Sequence, residues 1–96
     1  MSKSLLIEVL QTQIFVKQIK KLHQNQKNDL DGAVKKIIEE LLIGEMKKGD
    51  LSGIRVYKFK MVGQLTLLAY EFYERELRLI LLSLGSHENF YRDLKK

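Results

Sequence analysis

Past Gly44 the spacing of apolar residues changes from about 3.6 to about 2, and that switch divides the chain into a helical part and a sheet part. Before it, Leu30, Ala33, Val34, Ile37, Ile38, Leu41 and Leu42 form an unbroken stripe with helical period. Asn28 is placed to cap that helix, Asp29 and Asp31 sit where the helix dipole favours negative charge, and Gly44 is the expected stop. An earlier helix follows from Phe15, Ile19 and Leu22 on one face, with Thr12 as cap and Lys17, Lys20 and Lys21 turned outward. It is expected to end before Asn25, in the polar stretch 23–28. After the switch, 47–50 reads as a polar loop, and 53–61, 64–72 and 76–84 as strands. Val62-Gly63 and 73–75 supply the turns, and links so short make these three strands antiparallel. Leu5 to Leu10 reads as a short buried strand ahead of the first helix, and Glu88 to Lys95 as a short terminal helix or tail.

The fold class is therefore α+β in the order β-α-α-β-β-β: an antiparallel sheet with two N-terminal helices packed on one face. One layer of helices covers one sheet face. The opposite face, open and concave, is where a site is expected. Ninety-six residues without proline, repeats or low-complexity segments suit one domain, 1–96. The absence of cysteine excludes disulfides and thiolate metal sites, and fits a reducing compartment. The apolar run at Leu5–Leu10 is too short for a signal-peptide core or a membrane span, so a cytoplasmic location without a membrane partner is expected.

Seventeen Lys and Arg against twelve Asp and Glu give a formal charge of +5, which suits a polyanionic partner. Lys47, Lys48, Arg55, Lys58 and Lys60 place five positive charges in fourteen residues, interleaved with Tyr57 and Phe59. Cations that hold phosphates and rings that stack on bases suit RNA. The same pattern also serves a solvated sheet edge, where lysines discourage strand-to-strand aggregation. Arg55 and Lys58 have opposite parity in a regular strand, so they share a face only if a bulge or twist intervenes.

A second cluster, Gly85-Ser86-His87-Glu88-Asn89-Phe90-Tyr91-Arg92, follows the last apolar strand directly. His87 is the side chain most readily tuned for proton transfer near neutral pH. Tyr91, four residues on, shares its face if this piece is helical, and Arg92 adds a cation. The structural alternative is a terminal helix capped by Ser86, with Phe90 docked into the core. His23 closes a lysine-rich helix and reads as solvent-facing. The two histidines lack the spacing and carboxylate company of a zinc site, and no phosphate loop or paired-carboxylate motif is present. No metal and no small-molecule cofactor is expected.

On three features the sequence resembles the RelE/ParE superfamily of bacterial type II toxins: the element order, the segment 49–57 (GDLSGIRVY), and the ending 84–91 (LGSHENFY). The resemblance covers essentially the whole chain. It implies a RelE-like fold and a toxin neutralised by a cognate antitoxin protein. The ending looks most like the RNA-cleaving YafQ-like branch, in which positions matching His87 and Tyr91 belong to the active site. Lys58 falls where such enzymes carry a catalytic His or Lys, and Arg55 matches an Arg common in the same strand. The stretch Gln64-Leu65-Thr66 departs from the pattern, lacking an Arg that many RelE-like enzymes carry there.

These assignments describe metal-independent RNA cleavage on the ribosome, in which the ribose 2′-hydroxyl attacks the adjacent phosphate. His87 is the expected acid or base, with Lys58 and Arg55 stabilising the phosphorane. Tyr57 and Tyr91 stack on or position bases, and Lys47, Lys48, Lys60 and Arg92 hold the backbone of mRNA. The alternative on the same scaffold is a non-enzymatic inhibitor of DNA gyrase.

Overall fold

A computed structural model describes residues 7–86 and Phe90. Strand β1 (Glu8–Gln11) leads into helix α1 (Gln13–Lys20) and helix α2 (Gln24–Glu39). A two-residue strand β2 (Glu45–Met46) and a 3₁₀ turn (Gly49–Leu51) precede β3 (Arg55–Met61), β4 (Gln64–Tyr73) and β5 (Arg78–Gly85). The class is the expected α+β, with the strands in the spatial order β1-β5-β4-β3-β2. The sheet is mixed rather than wholly antiparallel: β2 to β5 run antiparallel, but β1 lies parallel to β5. The two helices intervening after β1 make a parallel return possible. No helix among the described residues is long and apolar enough to cross a membrane.

Several boundaries move for identifiable reasons. Helix α2 starts at Gln24 and absorbs most of the stretch expected to be a polar connection. His23 N donates to Gln26 Oε1 at 2.8 Å, and Gln24 Nε2 to Asn28 Oδ1 at 3.0 Å, so polar side chains support this exposed opening instead of an Asn28 cap. The helix ends at Glu39, well before Gly44. Gly44 serves a different purpose, because a Cβ there would stand 2.8 Å from the Tyr70 ring and hydroxyl. β1 is an exposed edge strand rather than a buried one, with Val9 and Leu10 each more than a third accessible.

The helix-covered face carries the larger core. Phe15, Leu30 and Ile37 meet Leu68, Tyr70, Leu79, Leu81 and Leu84 of the sheet. Burial of several such side chains, at roughly 1.5–3 kcal/mol each, is the main force fixing the helices to the sheet. The Tyr70 hydroxyl donates to Leu41 O and accepts from Gly44 N, both at 2.9 Å, which ties the segment after α2 to the sheet. Burial pushes this phenol above its ordinary pKa, despite the opposing pull of the Gly44 N–H, so it remains a donor.

An irregularity near the end of β5 changes which face the strand presents. Ala69 pairs with Ser83 but Tyr70 pairs with Leu81, leaving Leu82 bulged. Helix α1 and its cap satisfy the displaced backbone: Thr12 Oγ1 donates to Leu82 O at 2.7 Å, and Gln18 Oε1 accepts from Leu84 N at 2.8 Å. Leu79, Leu81 and Leu84 all join the helix-side core despite their mixed parity. The bulge thus re-aims the strand end.

Candidate active site on the open sheet face

The face away from the helices is built from the even positions of β3 and the odd positions of β4. Val56, Leu67 and Ala69 form a second buried cluster there with Phe90, flanked by Ile54 and Leu82. This face is therefore less open than the sequence suggested. Phe90 has helical backbone and is 2% accessible, so the expected docking of its ring is observed, on the face opposite the helices. A Cβ on Gly85 would meet the Phe90 ring at 3.4 Å, which places the end of β5 beneath that ring.

Lys58 and Lys60 stand exposed beside this apolar floor and form no ion pair among the described residues. Lys58 pairs with Leu67, and Leu67 with Gly85, so the three lie in one row across the sheet. At about 4.7–4.9 Å per strand, the Lys58 and Gly85 backbones are roughly 10 Å apart. A long, mobile ammonium chain on one side and the exit of β5 on the other can flank a single phosphodiester.

Arg55 does not join them. The β3–β4 register runs without a shift from Arg55 to Met61, so no bulge brings Arg55 round to the Lys58 face. Its Nη1 donates to Gly44 O at 2.8 Å and to Leu42 O at 3.1 Å, tying down the segment that follows α2. Tyr57 shares that parity. It packs against the helix-side core and stacks on Phe59, with ring centroids 6.1 Å apart and planes 11° from parallel. The expected pairing of Arg55 with Lys58 on one phosphate, and of Tyr57 with a base beside them, is corrected accordingly: alternation along an unbroken strand separates them.

Lys47 pairs with Glu45 at 3.3 Å, while Lys48 is exposed at the start of the 3₁₀ turn. Both lie at the β2 edge of the sheet. His87, Tyr91 and Arg92 lie outside the described residues, as does most of the segment 88–95. His23 is exposed at the start of α2. Sequence reasoning missed Tyr70, Gly44 and the bulge at Leu82; a tyrosine inside an otherwise apolar strand was the one available signal.

Residues 9–95 match the family model described as the ParE-like toxin of the type II bacterial toxin-antitoxin system. The chain belongs to this family. The fold of the toxin recurs in solved structures. The intact E. coli RelBE toxin-antitoxin complex contains a chain matched at TM-score 0.69 and 17% identity, over 85% of this chain and 98% of that one. An E. coli RelE double mutant in the free state matches at TM-score 0.72 and 14% identity, over 94% and 93% of the two chains. The YoeB/ParE toxin from Agrobacterium tumefaciens matches at TM-score 0.67 and 12% identity, over 84% and 99%. A comparison with curated proteins finds no match. The toxin thus has the RelE-like α+β fold that its sequence implied.

Proposed function

We propose that this toxin, acting as one domain in the cytoplasm, is a metal-independent mRNA endoribonuclease that works on the ribosome and blocks translation. The observation that carries the reading is the row Lys58–Leu67–Gly85, which sets an exposed cation across one strand from the exit of β5, two residues before His87. In the reaction, a base removes the 2′-hydroxyl proton and the oxygen attacks the adjacent phosphorus. The bond to the 5′-oxygen then breaks, and an acid protonates that leaving oxygen. His87 is assigned one of these proton transfers, a contribution of about 10²–10⁴-fold. Lys58, with Lys60 beside it, neutralises the charge that develops on the phosphorane. Tyr91 is assigned to base positioning, and Lys48 and Arg92 to backbone contacts, with Lys47 in support from its pair with Glu45. Arg55 and Tyr57 are left out of the reacting set, since both serve the other side of the sheet.

An antitoxin partner is inferred with it, since the solved relatives include RelE toxins bound to RelB. An acidic, amphipathic antitoxin segment suits a face that mixes Lys58 and Lys60 with an apolar floor. The rival reading, inhibition of DNA gyrase by protein contact, draws on the ParE-like family model and on Arg55 being engaged elsewhere. Induced expression followed by mapping of mRNA 5′ ends separates the two. Cut mRNAs that disappear in His87→Ala and fall at least about tenfold in Lys58→Ala are the expected result. DNA damage and filamentation without new mRNA ends, or full cleavage by His87→Ala, would overturn the assignment.

A further inference from the structure

The β3–β4 hairpin carries the two cations of the open face on a strand whose other face packs against the helix layer. Lys58 and Lys60 alternate along β3 with Tyr57, Phe59 and Met61, which lie against the helix-side core. Among the described residues, β5 flanks this hairpin only as far as Gly85 opposite Leu67, and β2 only as far as Glu45 opposite Val56. The pairs beyond them, Phe59–Thr66, Lys60–Leu65 and Met61–Gln64, form a two-stranded ribbon. Such a ribbon twists more strongly than a wide sheet, so what holds its tip decides how its faces are turned.

Helix α2 takes hold of the tip. The Asp29 side chain, exposed on α2, accepts the Val62 N–H through Oδ2 at 2.7 Å. The ladder closes at Met61–Gln64, so the N–H of the first turn residue lies outside it and water is its ordinary partner. Capture by a carboxylate instead is charge-assisted, and it fixes both the distance and the direction between helix and turn. Among the described residues, no other hydrogen bond joins 59–66 to α1 or α2.

The link from Asp29 to the cations is the strand itself. At about 3.3 Å per residue, Val62 stands roughly 7 Å from Lys60 and roughly 13 Å from Lys58 along the backbone. The two faces of a strand turn together. A ribbon released at its tip and free to roll about its axis therefore carries both ammonium groups sideways on the far face. We propose that Asp29 is a positioning residue for RNA cleavage: by pinning the hairpin tip to α2, it fixes where Lys58 and Lys60 meet the phosphate, without itself touching RNA. This rests on the ribonuclease reading above, and it gives a residue of the helix layer a hold on the open face.

The test is the yield of mRNA 5′ ends per unit of toxin after induction of the full chain. Wild type is compared with Asp29→Ala, Asp29→Asn, Asp31→Ala, Lys60→Ala and the Asp29→Ala/Lys60→Ala double variant. Asp29→Ala is expected to cut about tenfold less, short of the roughly 10²-fold cost of a 1 Å displacement, while keeping the wild-type circular dichroism. Asp29→Asn, whose side-chain oxygen still accepts the Val62 N–H, restores most of the cutting. Asp31→Ala removes the same charge two residues along α2, where the carboxylate makes no hydrogen bond among the described residues, and cuts like wild type. In the double variant the combined loss is smaller than the product of the single losses, because a residue that acts through Lys60 has less to forfeit once Lys60 is gone. Full cutting by Asp29→Ala, equal impairment of Asp29→Asn, a matching loss in Asp31→Ala, or losses that multiply in full with Lys60→Ala would each overturn the positioning role and leave the ribonuclease reading standing. Absence of cutting by the wild-type chain overturns both.

Discussion

On the helix-covered face the sheet buries Leu68, Tyr70, Leu79 and Leu81 beneath two helices, whereas on the other, among the described residues, Phe90 closes over Val56, Leu67 and Ala69. The first core is large and ties distant parts of the chain together. The second is small, and its cover belongs to the segment that carries His87. Arg55 and Lys58 repeat the contrast on one strand. Three residues apart, one guanidinium is held by two carbonyls, and one ammonium makes no ion pair among the described residues. Charge alone therefore says little about role in this molecule; parity decides it.

The comparison breaks most readily in the larger core. Leu79→Ala should lose about 3–4 kcal/mol in urea unfolding, as a fully buried core leucine does. Phe90→Ala should lose less, about 1–2 kcal/mol, because the small core it covers can open without global unfolding. Hydrogen exchange should speed up at Val56 and Leu67 in that variant and remain slow at Leu79. Equal losses from the two substitutions would mean that the two faces share one cooperative core. The cation pair gives a middle-sized effect. Arg55→Ala should cost about 2 kcal/mol, since it removes two charge-assisted hydrogen bonds, while Lys58→Ala stays within about 0.5 kcal/mol in the same melt. A stability loss at Lys58 matching that at Arg55 would erase the distinction.

The smallest effect sits at the hairpin tip. Val62 adopts φ 51°, a left-handed backbone that a β-branched residue disfavours, and Gly63 follows at φ 79°. The Val62 N–H is held by Asp29 Oδ2 at 2.7 Å, so a residue read as a helix-dipole charge in fact anchors this turn. Val62→Asn should raise stability by roughly 1 kcal/mol, because asparagine suits the turn and the backbone bond to Asp29 is retained. A lowered melting temperature would show that the valine side chain is needed where it stands.

Much of the fold was legible because the helical stripes and the alternating strands each have one solution. Phe15, Leu30, Ala33 and Ile37 are buried as the periods require, and the Val62-Gly63 turn falls where its residues place it. What escaped was carried by contacts between distant residues. The opening of α2 has no apolar signature, being exposed and polar, and Gly44 looks like a helix stop until Tyr70 is placed against it. The bulge at Leu82 depends on Thr12, 70 positions earlier. For the site, strand parity already warned that Arg55 and Lys58 would separate, and the regular ladder separates them.

The parallel pairing of β1 with β5 has a consequence for biosynthesis. Among the described residues, the first strand finds its only neighbour in residues 78–85. Until those residues have emerged from the exit tunnel, a nascent chain has helices and a hairpin but no such partner for β1 and no anchor for the start of α1. Contacts of such long sequence separation close late. A nascent chain therefore keeps the β1 edge of its sheet unfilled until residues 78–85 are free to pair.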